Sequence, residues 1–318
     1  MRHLSPEILS LRSDFIFAIR SFFSKNSFIE IDTPILKKTP GMEPYLDPIK
    51  ASSPHKDIEG YLITSPEYSL KQVLSLGKEK IYEITHAFRS GEKGSLHTTE
   101  FLMLEFYQIG IDEKQLIEVC IELFDYLQNN FKNFNFNRNN CKKVSMEELF
   151  FQHVKRGFQR NELIQIISEN NLPCCFDKKT CDYEDLFFLV FLNLIEPELP
   201  EEIFFIYDYP KEMAALAKIS GQIANRFEIY YGRVELGNAF YELTSPDEQE
   251  KRFKLEQQKR ADLKKEVFNI DEEFMNALKS GIADVSGISI GLDRLLMVLL
   301  GHSNLQFISP YYRASCSF

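Results

Sequence analysis

The sequence predicts an α+β fold: an antiparallel β-sheet flanked by helices. Three observations carry that reading. Residues 81–107, IYEITHAFRSGEKGSLHTTEFLMLEFY, alternate apolar and polar up to Phe88, break at Ser90-Gly91-Glu92-Lys93-Gly94, and alternate again from Phe101. Residues 226–243 form a second hairpin, with its turn at Gly232-Arg233. Around both lie segments with apolar residues three and four apart, the spacing of amphipathic helices.

In order, Ser5-Pro6-Glu7 opens a helix, with Ser as N-cap, Pro at the first position and an acid in the first turn. Ile8, Leu11, Phe15, Ile19, Phe22 and Phe23 form its core stripe. Residues 28–36 read as a strand ending near Pro34. The four prolines of 37–60 give a long loop or an irregular edge hairpin, either functional or a solvated excursion. Thr64-Ser65-Pro66-Glu67 opens the next helix, backed by Leu70, Val73, Leu74 and Leu76. Alone, Glu67 would only complement the helix dipole.

In the strand from Phe101, Met103, Glu105 and Tyr107 share a face with Phe101, while Leu102, Leu104 and Phe106 make the core face. A carboxylate and a phenol beside an aromatic suit a substrate floor. Arg89 ends the preceding strand, and a planar guanidinium facing a polar loop suits a carboxylate or phosphate. A helix runs from Asp112 to about Asn130, then a low-complexity connector, then a Phe- and Leu-rich helical stretch to about 200 with caps near Ser145 and Asp182. This stretch, about 131–200, reads as an insertion into a single domain spanning 1–318. Residues 203–209 return to strand, and Met213-Ala-Ala-Leu-Ala suggests a short helix or turn.

In the second hairpin Asn238, Phe240 and Glu242 share a face by parity, whereas Glu235 falls on the other. Both acids reach one cation only if a bulge intervenes, and Gly237 is its natural place; otherwise they are solvated edge glutamates. Ser245-Pro246 caps a long helix to about Val267 whose charges read as a solvated face. After a short helix near 274–282, residues 284–292 form a small-residue strand that admits close approach, and 293–300 an apolar helix carrying Arg294 in its first turn.

No apolar run approaches the ~20 residues of a membrane span. The opening MRHLSPEILS has no signal-peptide pattern. Six irregularly spaced cysteines point to a reducing cytoplasm, and no C-x2-C pair supports zinc. A net charge of −10, with no Lys/Arg block longer than a pair, argues against a strong grip on nucleic acid.

FRSGE…H..EF.MLEFY (88–107) resembles motif 2 of the class II aminoacyl-tRNA synthetases, in the lysyl branch. GISIGLDR (287–294) resembles motif 3, and FIEIDTP (28–34) more weakly motif 1. TSPEY (64–68), ELGNAFYELTSPDEQEKRF (235–253) and GIADVSGISIGLDRLLMVLLG (281–301) extend the resemblance over nearly the whole length, to the branch's short paralogues, the ligases that modify elongation factor P. Three motifs in order are a specific signal.

The resemblance implies a class II catalytic core. With motif 1 beginning near residue 28, no room is left for an anticodon-binding domain. It implies ATP and Mg²⁺, adenylate formation on lysine or (R)-β-lysine, and transfer to a lysine ε-amine of elongation factor P. A homodimer through the first helix and motif 1, without stable tRNA or membrane binding, is also implied. Arg89 would bridge the substrate carboxylate and the α-phosphate. Ser65, Glu67, Glu105, Tyr107, Asn238, Phe240 and Ser289 would line the amino-acid pocket. Glu92, His97, Phe101 and Arg294 would contact ATP, with Phe101 under adenine and Arg294 on the γ-phosphate. Glu235 and Glu242 would hold Mg²⁺.

Glu105 carries an argument of its own, because a buried carboxylate needs a cationic partner and an ε-ammonium supplies one. Three positions depart from the family pattern. Ser289 replaces Gly or Ala at the amino-acid end, which leaves α-lysine against β-lysine open. Ala239 replaces the Gly of the usual NGF, and Thr98-Thr99 replaces a loop Asn-Pro. A truncated synthetase acylating tRNA or another small acceptor is the alternative. A silent paralogue would have lost Arg89, Glu235, Glu242 or Arg294, and all four are present.

Overall fold

The computed structural model describes residues 4–55, 59–92, 94–131, 136–174, 177–178 and 181–312. The chain divides into two compact units, Met1–Asn135 with Glu242–Phe318, and Phe136–Tyr241. The first unit begins with α1 (Pro6–Lys25), β1 (Ile29–Glu30), β2 (Leu36–Lys37), β3 (Ile49–Ser52), β4 (Glu59–Leu62), α2 (Glu67–Leu74), β5 (Lys80–Phe88), β6 (Glu100–Ile109) and α3 (Glu113–Asn130). The second holds β7 (Lys142–Ser145), α4 (Met146–Val154), α5 (Arg160–Glu169), α6 (Tyr183–Val190), β8 (Ile203–Pro210), β9 (Ile219–Ser220), β10 (Ile223–Tyr231) and β11 (Val234–Tyr241). The first resumes with α7 (Pro246–Asp262), α8 (Glu272–Ser280), β12 (Val285–Gly291) and α9 (Leu292–Leu299).

The first unit's main sheet runs β1-β5-β6-β12, antiparallel except at the β1 edge, which is parallel to β5. In the second unit the order is β11-β10-β8-β7, with β9 also on β10 and β7 parallel to β8. The α+β class and the antiparallel interior are as the alternation predicts.

Caps fall where the sequence places them. Ser5 accepts from the Ile8 N–H, and Asp112 and Ser145 each complete a capping box. Ser245 caps α7, which ends at Asp262 rather than near 267. Behind the β5–β6 hairpin, Phe23 of α1 stacks on Tyr82 at 4.5 Å and packs edge-on to Phe28. Each fully buried phenylalanine contributes about 1.5–3 kcal/mol of burial. The hairpin's core face is therefore clamped, and its other face is left for chemistry.

The structure sharpens four readings. Residues 28–36 hold only two short strands, and the Thr33 end is fixed by Glu83, whose two oxygens accept from the Thr33 N–H (3.0 Å) and hydroxyl (2.9 Å). Of the two readings of 37–60, its described part fits the hairpin: β3 and β4 pair antiparallel, and β2 joins β4 as a third strand. The helical stretch read as an insertion packs on the strands that follow it: Met146, Phe150, Leu163 and Phe187 share one core with Phe204, Ile206 and Tyr230. Leu76 lies beyond α2 and is exposed rather than packed.

The charged helix α7 also departs from its solvated reading at one residue. Arg260 is 1% exposed, lies over the Phe268 ring at 4.4 Å, and donates to the carbonyls of Glu43 (2.8 Å), Leu46 (2.9 Å) and Glu266 (2.6 Å). One buried guanidinium thus straps the 43–47 loop to the body of the first unit. Five donors in a fixed fork make arginine the side chain that can do this.

Candidate active site

Strand register builds the floor. Glu105 lies opposite Ser289 on β12, and Tyr107 lies opposite Gly287. A Cβ at 287 would sit 2.2 Å from Tyr107 Cε1, so glycine there is what lets the phenol ring cross the strand. The ring then delivers its hydroxyl to Glu105 Oε1 at 2.6 Å, and Ser65 donates to Oε2 at 2.7 Å. Glu105 is 2% exposed. Burial pushes its carboxyl up to about 8, and the nearby Glu67 charge adds to that; the two hydrogen bonds and Lys71 pull it down. Tyr107 is raised as well, first by burial and then by Glu105.

Helix α2 supplies the acidic wall. Pro66 occupies its N-cap position, and the Ser65 hydroxyl turns back to accept from the Glu67 N–H at 3.1 Å. One turn later comes a residue the sequence reading passed over. Lys71 Nζ lies 2.5 Å from Glu67 Oε1 and 2.6 Å from Glu242 Oε2, with Lys71 and Glu242 each 1% exposed. Burial would strip the Lys71 proton, but the Glu242 and Glu67 carboxylates override it and hold the ammonium charged. Burial raises Glu242, with Lys71 opposing. The available signal was the Glu67–Lys71 spacing of four on one helix face, with Lys71 inside the Leu70–Leu74 stripe. A further acid, Glu43, closes the wall. Its Oε2 is buried without a hydrogen-bond partner, and burial followed by the Glu67 charge raises its carboxyl.

The loop side of the hairpin is basic. Arg89 lies over the Phe101 ring at 5.1 Å and 3.8 Å from Glu92, and its Nε is buried with no hydrogen-bond partner. Its backbone N–H donates to Thr99 O at 2.9 Å, and Thr98 Oγ1 caps Glu100 O at 2.7 Å. The two threonines close this loop with their own hydrogen bonds. Arg294 Nε donates to Leu96 O at 3.0 Å. Burial, then Arg294 and Arg89, push the His97 imidazole below its ordinary range, and Glu92 opposes this. Asp293 anchors α9 beside it, accepting from Arg12 (2.7 Å) and from the Leu102 N–H (2.8 Å).

Asn238, Phe240 and Glu235 belong to the second unit. The predicted bulge is present: Ile229 pairs with Gly237 but Tyr230 with Glu235, which leaves Leu236 as the extra residue. Asn238 and Phe240 do share a face, because Arg226 donates to Asn238 Oδ1 at 2.9 Å and lies 5.2 Å from the Phe240 ring. Arg226 also pairs with Glu228, whose Oε2 accepts from Tyr209 (2.7 Å) and Tyr230 (2.9 Å).

Among the described residues no cluster of three or more His, Cys, Asp or Glu could hold a metal, and Cys120, Cys141, Cys174 and Cys181 form no disulfide with one another. Cys175 and Cys316 lie outside the described residues. Glu242 is committed to Lys71 inside the first unit, so it fits a cation only by giving up that contact. No described helix is long and apolar enough to cross a membrane.

The fold and the three motifs agree with what the chain resembles. Residues 1–315 match the model of the class II tRNA synthetases for D, K and N, and the chain belongs to that family. It is 36% identical over 315 residues to the "Elongation factor P--(R)-beta-lysine ligase" of Buchnera aphidicola subsp. Schizaphis graminum, covering 95% of this chain and 94% of the relative. A Vibrio atlanticus protein of the same name is 31% identical over 95% of this chain and 94% of its own. The "Elongation factor P--(R)-beta-lysine ligase homolog" of Aquifex aeolicus is 32% identical over 97% and 100%. The chain is thus an ATP-dependent ligase with a class II synthetase core, grouped with these ligases.

Proposed function

We propose that this enzyme activates lysine or (R)-β-lysine with ATP and transfers the acyl group to a lysine ε-amine of elongation factor P. One observation carries the substrate class. Glu105 is buried, hydrogen-bonded at both oxygens by neutral hydroxyls, and surrounded by further acids. That is a carboxylate lacking a directly bonded cation, and a substrate ammonium supplies one. The acceptor reading rests on the names of the relatives.

The substrate carboxylate oxygen attacks the α-phosphorus of ATP. A bond from the carboxylate oxygen to the α-phosphorus forms, the α–β phosphoanhydride bond breaks, and pyrophosphate leaves. The acceptor amine then attacks the acyl carbon, forming an amide, losing a proton to solvent and expelling AMP. No covalent enzyme intermediate is needed, so the chain contributes orientation and charge. Arg89, with an unpaired buried donor and its face on Phe101, would bridge the substrate carboxylate and the α-phosphate. Glu92, His97, Phe101 and Arg294 line the nucleotide side. Ser65, Tyr107 and Glu105 take the side-chain ammonium, Glu67 the amine nearer the carboxyl, and Ser289, across from Glu105, borders the same space. Asn238 and Phe240, fixed by Arg226, are assigned to amino-acid recognition on the motif they share with the family.

Mg²⁺ bound with ATP would neutralise phosphate charge. Glu235 is the acid assigned to it, sharing it with phosphate and water oxygens as that ion prefers. Glu242, buried against Lys71, is assigned to the acidic wall instead. The enzyme works in the cytoplasm as a homodimer without stable tRNA binding.

Incubation with ATP, Mg²⁺ and labelled α- or β-lysine, offering elongation factor P and bulk tRNA separately, tests the reading. Label on elongation factor P alone is expected, and the preferred isomer reports on Ser289. Label on tRNA would make this a minimal synthetase.

A further inference from the structure

We infer that Lys71 is a positioning residue for amino-acid recognition: its ammonium, wedged between Glu67 and Glu242, fixes both carboxylates in the acidic wall that faces the substrate's ammonium groups. Glu105 and Glu43 add two further acids to that wall. The acids outnumber the one ammonium bonded among them, which suits a diamino acid, while the substrate's own carboxylate goes to Arg89. The inference rests on the functional reading above.

The surroundings are specific. Lys71 contacts Glu67 on its own helix and Glu242 at 2.5 and 2.6 Å. The Phe274 ring of α8 covers it at 5.8 Å. Glu105 and Tyr107 face this group from β6, and Glu43 faces Glu67 from the loop. Such a triad is not what stability alone favours. Replacing buried ions with apolar side chains of similar volume is often neutral or stabilising, and Lys71 already lies in an apolar stripe beside Leu70 and Leu74. A buried lysine with two carboxylates at this position makes sense if those carboxylates must be held for a ligand. Without Lys71 they would repel each other, and one oxygen of each would lose its fixed direction.

The test is a double-mutant cycle on amino-acid activation, read by ATP–pyrophosphate exchange. The Lys71→Met variant should raise the KM for the amino acid about tenfold or more while the KM for ATP stays within about twofold, and Lys71→Arg should restore most of the loss. Lys71→Met combined with Glu242→Gln should lose little beyond Glu242→Gln alone, because the ammonium then has less to hold. Near-UV circular dichroism checks each fold, and Lys71→Gln replaces the methionine variant if that one does not fold. Additive losses, equal changes in both KM values, or an arginine variant as poor as methionine would overturn the role of Lys71 and leave the functional reading standing. A wild-type enzyme that activates neither isomer would overturn both.

Discussion

Two buried charge networks in this molecule have opposite logic. In the second unit, Arg226 and Glu228 are matched one to one, and Glu228 is further held by Tyr209 and Tyr230. In the first unit, Glu67, Glu105 and Glu242 face a single bonded cation, Lys71, and Glu43 adds a fourth acid. The second unit's network pairs its charges and leaves Arg226 Nε without a hydrogen-bond partner. The first unit's network is short of positive charge, and the proposed amine site rests on that deficit. Partner counting therefore separates a structural ion pair from a binding site where sequence motifs alone would treat both as conspicuous glutamates.

The contrast can be broken by mutation. The largest loss of stability is expected where the charges are paired. Glu228→Ala leaves Arg226 buried and uncompensated and should cost about 3–5 kcal/mol in urea unfolding. Next comes Arg89→Ala, which touches no such closed pair. It should lower ATP–pyrophosphate exchange by about 10²–10³-fold with an unchanged unfolding midpoint, since a preorganised donor to developing charge is lost. Retained exchange would remove Arg89 from the chemistry.

A smaller effect distinguishes the acidic pocket by pH. The folded-state carboxyl of Glu105 is raised to about 8 from an ordinary 4.5. Its contribution to stability is therefore full below about pH 4.5 and is lost as pH rises toward 8, at up to about 1.4 kcal/mol per pH unit. Glu105→Gln should flatten that slope in the empty protein, measured as unfolding free energy against pH. An unchanged slope would mean that Glu105 is already compensated. The smallest effect lies outside both networks: Asp112→Ala removes a capping box and should cost about 1 kcal/mol without affecting activation.

Local chemistry was legible in the sequence. Caps at Ser5, Asp112 and Ser145, both hairpins, the shared face of Glu105 and Tyr107, and a bulge beside Gly237 all follow from rules that reach only a few residues along the chain. What escaped depends on distant partners. Lys71 meets Glu242, and Arg260 closes on Glu43 and Leu46, through contacts that no local pattern encodes. Gly287 is read from sequence as room for a ligand, yet the ring it admits is Tyr107. The 36–62 sheet was legible only as an edge hairpin or a loop, because its strands are short and its prolines read as loop, and the third strand, β2, was missed. The sharing of one core by the 146–191 helices and β8–β10 was equally out of reach, since it joins residues far apart in the chain.

The most direct test of the account is calorimetry of lysine or β-lysine binding near pH 7, repeated in buffers of different ionisation enthalpy. An ammonium arriving beside Glu105 should drive off its proton. The account predicts release of up to one proton per ligand, fading above about pH 9 and absent in Glu105→Gln. Tight binding with no proton release at any pH would contradict it, because Glu105 would then not be the group that receives the amine.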